Sequence, residues 1–168
     1  NPHLVRVFLC LNFSYFCRNI KTPNTMIKTI HSYWAYLVLV VLILAVLKSL
    51  IGYFGKKDYD AKAFRVSLFT LIVSHIQLLI GLLLYFTSAR FGLWSDLGVG
   101  EVMKNADIRL YLVEHPTINI LAVALITIGY SKHKKKLVSG PKYKTVAVFY
   151  TIALILIVSR IPWNVWPN

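Results

Sequence analysis

Three histidines, His31, His75 and His115, stand inside or at the mouth of long apolar runs of this 168-residue chain. An imidazole is costly in hydrocarbon, so a histidine at membrane depth is a functional candidate before it is a packing residue. Neutral imidazole is also the commonest metal ligand in proteins and the usual proximal ligand of haem iron. Ligation of a single iron centre is therefore the chemistry these three could share. Each also has a plainer role: His31 as an interfacial side chain, His75 as a hydrogen-bond partner of Ser or Thr on a neighbouring helix.

The elements that must position them follow from composition. Hydrophobic residues make up 57% of the chain and charged residues only 15%, with a mean hydropathy of +0.62. An ordinary soluble domain is about half apolar and about a quarter charged. Nineteen Lys and Arg against six Asp and Glu would by number suit nucleic acid. Their positions argue against that partner, because they gather between apolar runs, where loops meet a membrane surface. Four runs, about residues 33–54, 66–86, 110–130 and 146–166, each reach the ~20 residues that carry a helix across a ~30 Å hydrocarbon core. None has the strict alternation of a barrel strand. The expected fold is all-α, an integral membrane four-helix bundle in contact with the lipid bilayer.

Residues 55–65 carry Lys56, Lys57, Lys62 and Arg65; residues 131–145 carry Lys132, Lys134, Lys135, Lys136, Lys142 and Lys144. The longer 87–109 connection has only Arg90, Lys104 and Arg109. The positive-inside rule places both short loops in the cytoplasm, which makes the bundle N-out and C-out. Trp34, Trp94, Trp163 and Trp166 then share the outer side as an aromatic belt. His31 and His115 each open an outward-to-inward helix, a faint sign of paired hairpins.

On this topology His31 lies at the outer surface, His115 roughly 7–8 Å below it and His75 roughly 16 Å below. A b-type haem needs two imidazoles at compatible depth on facing helices. His31 with His115, or His75 with His115, meets that condition; of these we take His75 and His115 as the expected ligands, with His31 as substitute. One bis-histidine haem is the most this chain can hold. Cys10 and Cys17 form no Cys-x-x-Cys-His, which excludes covalent c-type attachment. Tyr111, His115, Asn119 and Ala122 share one face of the third helix, and Thr70, Ser74, Gln77 and Gly81 make a polar and small stripe beside His75. Pro116 removes a backbone donor beside His115. Arg160, Arg109 and Lys28 ring the outer end, and Arg160 is the expected partner of a haem propionate. Glu114 is either a proton site or a boundary carboxylate paired with Arg109 or Arg160.

Within residues 1–25 the apolar run Leu4–Cys17 is interrupted by Arg6, Asn12 and Ser14, too short to span and without a small-residue cleavage site. We expect residues 1–25 to be an extension upstream of a native start at Met26.

The segments His31-Ser-x-x-x-Tyr-Leu-Val-Leu, Leu68-Phe-Thr-Leu-Ile-x-x-His75-x-Gln-Leu-Leu-x-Gly-Leu-x-Leu-Tyr-Phe, Val113-Glu-His115 and Ile126-Thr-Ile-Gly-Tyr-Ser-Lys resemble the small four-helix membrane proteins of Bacteroidetes labelled "cytochrome b". Phe149-Tyr-Thr-Ile-Ala-Leu through Ile161-Pro-Trp continues the resemblance, which runs from Met26 to the C-terminus. It implies a multi-pass protein of the bacterial inner membrane whose characteristic histidines are His31, His75 and His115. The leading expectation is a haem b electron-transfer protein serving a quinone or a respiratory membrane complex. The competing one is a cofactor-free accessory subunit of such a complex. A small transporter with a Glu114/His115 proton site is a third, weakened by the few Gly or Pro breaks within the spans.

Overall fold

The computed structural model describes the backbone of residues 2–166 and the side chains of residues 24–166. All but the last two residues of the expected extension, including His3, Cys10 and Cys17, lie outside the described side chains. Among the described residues there is no strand. Four helices organise the chain: α1 (Pro2–Phe54), α2 (Ala61–Thr87), α3 (Ala106–Lys134, with one π-helical turn at Leu110–Glu114) and α4 (Ser139–Ser159). The described part of α1, Asn24–Phe54, and the other three are each long and apolar enough to cross a membrane.

Hydropathy alone places these boundaries imperfectly. Helix α1 continues through His31, which therefore sits on a helical face and not ahead of the first span. Helix α4 begins at Ser139 and ends at Ser159, so it lies earlier than the expected 146–166. Proline removes a donor and disfavours helix in the residue before it, and Pro162 turns the chain there; residues 160–166 become turns. At the other end the helix takes in Lys142 and Lys144, whose long stems cover apolar surface while the ammonium stays wet.

The helices pack in a ring, α1 against α2, α2 against α3, α3 against α4, and α4 back against α1. Leu42, Ala45 and Val46 of α1, Ala122 and Ile126 of α3, and Val146, Tyr150 and Ala153 of α4 form its buried centre. Tyr150 is fully buried, and its hydroxyl donates to the Ser67 carbonyl of α2 at 2.9 Å. Outward-facing side chains are apolar, among them Val40, Ile43, Leu47, Leu79, Leu83 and Ile155. An exposed apolar belt around a polar-seamed interior suits hydrocarbon as the solvent.

At the basic end the two short loops hold each other. The Tyr59 backbone N–H donates to Ser139 Oγ (3.0 Å) and the Tyr143 hydroxyl to the Asp58 carbonyl (3.1 Å). Burial pushes the Tyr59 hydroxyl above its usual range, which keeps it neutral. Asp60 caps α2, accepting from the Ala63 N–H at 2.7 Å, and Lys48 of α1 lies 3.7 Å away. That cap, and then the Lys48 charge, hold the Asp60 carboxyl below the usual carboxylate range. A carboxyl depressed on folding stabilises above its unfolded pKa, about 3.9, and loses that contribution as pH falls through the lower folded value. Asp60→Asn keeps a capping oxygen and removes the charge. Its melting temperature should fall less steeply than wild type as pH drops below about 4; parallel curves would show that Asp60 plays no part in acid unfolding.

Candidate functional site

At the opposite end, α1 and α3 face each other diagonally across the ring and bring two histidines together. The His31 and His115 ring centroids are 6.2 Å apart, with the ring planes inclined at 73°. The two residues therefore sit level, although depth counting along the sequence separates them by more than a helical turn.

Local backbone chemistry places His115. A π turn, which shifts helix register by one residue and recurs at functional sites, immediately precedes it. Pro116 follows and lacks the N–H that would reach back to the Leu112 carbonyl. That carbonyl instead accepts from the Tyr85 hydroxyl of α2 at 3.2 Å, and Trp94 Nε1 donates to the Tyr85 oxygen at 3.1 Å. Tyr85 is a positioning residue that little in the sequence singles out; the carbonyl left free by Pro116 was the available signal.

The ring of His115 is fixed from behind. Its Nδ1 lies 2.8 Å from the Arg160 carbonyl at the end of α4. A carbonyl only accepts, so Nδ1 carries the proton and Nε2 keeps its lone pair. The Arg160 side chain turns to Glu114, with Nε 3.2 Å from Oε2, while Arg109 Nε lies 2.7 Å from Oε1. Both Glu114 oxygens are thus occupied by arginines, and Arg160 clamps the Glu114–His115 corner with side chain and backbone together.

His31 rests on α2. Gln77 Nε2 donates to the His31 carbonyl at 3.0 Å and lies 3.3 Å from His31 Nδ1. Gly81 makes the close approach possible, since a Cβ there would stand 3.2 Å from His31 Cε1. Among the described residues the Nε2 of neither His31 nor His115 meets a hydrogen-bond partner.

His75 goes elsewhere. Its Nδ1 donates to the Leu71 carbonyl of its own helix at 2.8 Å. Its Nε2 is 3.5 Å from Thr127 Oγ1, a hydroxyl that already donates to the Val123 carbonyl at 2.8 Å. It does not line the space between His31 and His115.

That space is a cavity of about 330 Å³, at the lower end of the ~300–1,000 Å³ range of small-molecule pockets. Val38, Leu39, Leu78 and Val123 supply apolar wall, and Ser74, Gln77 and Asn119 its polar points. Lys28 and Arg90 stand at the mouth, with the Arg90 guanidinium 3.5 Å over the Tyr111 ring. Of the expected α2 stripe, Ser74, Gln77 and Gly81 reach the cavity, whereas buried Thr70 donates to the Val66 carbonyl. On α3, Tyr111, His115 and Asn119 reach it and Ala122 joins the core. Ser74 is 1% exposed, yet its Oγ has no hydrogen-bond partner, nor has Gln77 Oε1. Among the described residues no three His, Cys, Asp or Glu side chains gather as a metal site.

Fold and site define a four-helix all-α protein with the architecture of a multi-pass membrane protein and a histidine-walled cavity at one end. Neither the protein-family models nor the curated proteins nor the solved structures compared with this chain match it.

Proposed function

We propose that the cavity holds one haem b between His31 and His115, and that the protein transfers electrons within a membrane. The carrying observation is the facing imidazole pair. The two ring centroids stand 6.2 Å apart and neither Nε2 meets a hydrogen-bond partner among the described residues, so one iron between them could take both. A bare metal ion wants three or four protein ligands; haem iron asks the protein for two. The proposed pair thus takes His31 in place of His75, whose Nδ1 and Nε2 face α2 and α3 groups outside the cavity.

The surrounding groups fit this role. The His115 Nδ1–H on a carbonyl is the usual support behind a ligating imidazole. Ligation through His31 Nε2 would need the ring proton on Nδ1, with the Gln77 amide turned away from that nitrogen. A macrocycle is larger than the enclosed volume, so its edge would lie at the mouth, where Lys28 and Arg90 can pair with propionates. Those two then take the part expected of Arg160, which serves through its carbonyl and its hold on Glu114. Bound haem supplies a one-electron iron couple. The chain's own residues orient it, exclude water with apolar walls and supply charge at the mouth. A quinone or a respiratory membrane complex is the proposed electron partner. The proposed location is the bacterial inner membrane, with the basic end cytoplasmic and both chain ends outside.

A second reading rests on Ser74 Oγ and Gln77 Oε1, two buried and unpaired groups on residues that line the same cavity. A quinol hydroxyl would accept from the first and donate to the second. One experiment separates these readings. Protein purified in detergent from a haem-replete host should show a Soret shift and a sharp α band on dithionite reduction. Colourless folded protein overturns the haem proposal. Quinone in its organic extract would then favour the second reading, and an empty extract the cofactor-free accessory subunit.

A further inference from the structure

The basic end of the bundle carries a charge imbalance that the chain does not neutralise. The ten Lys and Arg of the 55–65 and 131–145 segments gather there, because the two loops are hydrogen-bonded to each other through Tyr59, Ser139, Asp58 and Tyr143. Lys142 is half-buried and the other nine are exposed. The carboxylates at this end are Asp58 and Asp60. Asp60 is committed to the α2 cap and to Lys48, and Asp58 Oδ1 accepts from Ser139 at 3.5 Å. Among the described residues no ion pair involves any of the ten. Among the residues with described side chains the other end is close to balanced, and Glu101 and Glu114 there are both paired with cations.

Three of these cations lie over aromatic rings. Lys132 is 5.3 Å from the Phe149 centroid, Lys134 is 5.5 Å from Tyr130, and Lys142 is 5.5 Å from Tyr59. The contacts of Lys134 and Lys142 hold their ammonium groups at the level where apolar helix gives way to polar loop. In a bilayer that level is the headgroup layer, not open water.

We infer that this end is an anionic-lipid docking surface, its cations paired with the phosphates of acidic phospholipids in the leaflet that surrounds it. The partner follows from placement: an RNA would need a basic face projecting from the membrane, whereas this one rims the ends of four apolar helices. Each cation at an anionic lipid surface is worth roughly a fivefold preference, so even a few engaged lysines give strong selection.

The test is native mass spectrometry of protein recovered from nanodiscs made with equal phosphatidylcholine and phosphatidylglycerol. Phosphatidylglycerol should be retained at least about fivefold over phosphatidylcholine, with loss of that bias at high salt. Combined Lys134→Gln, Lys135→Gln and Lys136→Gln should cut it several-fold, while Lys104→Gln at the other end leaves it unchanged. If the triple variant does not fold, the salt response of wild type carries the same decision. Equal retention of both lipids would overturn the inference, as would a bias indifferent to salt or to the three lysines. So would retention of added RNA by detergent-solubilised protein that shows no lipid bias.

Discussion

If the cavity holds haem as proposed, replacing either His31 or His115 by Ala should abolish its binding, whereas His75→Ala should leave haem content and the reduced α band unchanged. Removing an outer partner of a metal ligand typically costs 10–100-fold in affinity, and removing the ligand itself should exceed about 100-fold. His31 and His115 reach the cavity from α1 and α3 with both Nε2 atoms unpartnered; His75 is tied to Leu71 and faces Thr127. Haem per protein, with the pyridine haemochrome measured on monodisperse samples, gives the readout. Loss in His75→Ala with retention in His31→Ala would overturn the assignment and restore the pair expected from sequence. Gln77→Leu should fall between these extremes, because it removes the group behind His31 and leaves the ligand in place.

Gly129→Leu should strongly destabilise the bundle itself. A Cβ at Gly129 would collide with Phe149 Cβ, so α3 and α4 touch there with no room for a side chain. Overpacking of this kind costs about 1–3 kcal/mol. Adding a side chain to a helical glycine returns at most about 1 kcal/mol of propensity, so the clash wins. Gly129→Ala should be mildly destabilising and Gly129→Leu strongly so, read as a lower thermal midpoint in detergent. Position 129 lies about 21 Å along α3 from His115, so folded Gly129→Leu protein should keep the wild-type haem spectrum. An unchanged midpoint would mean that α3 and α4 separate there without cost.

The four helices and their antiparallel order were legible because they rest on one-dimensional signals, apolar run length and the position of charge. Boundaries were less so. Hydropathy averages over a window, while α4 is stopped by Pro162 and its neighbours and α1 runs on through His31 with no sequence punctuation to end it. The polar face of α3 and the small-polar stripe of α2 were visible through helical period, and most of their members reach the cavity.

Pairing of the histidines was not legible. Counting residues from the ends of apolar runs placed His31 at the surface and His75 nearest the centre, which made depth the criterion. Rotation decides instead: which face of α2 turns toward the cavity sends Ser74 and Gln77 inward and His75 toward Thr127. Arg160 shows the same limit, since sequence suggested a cationic side chain for a propionate and the fold uses its carbonyl to hold His115.

The sequence by itself thus determined the class of fold, the clustering of charge at one end and the short list of histidines, because burial in hydrocarbon and helical period act residue by residue. Tertiary structure alone decided that His31 and His115 meet and that His75 does not. Meeting depends on the relative rotation of α1, α2 and α3, set by contacts such as Gly81 with His31 and by the π turn before His115, and no local pattern encodes it.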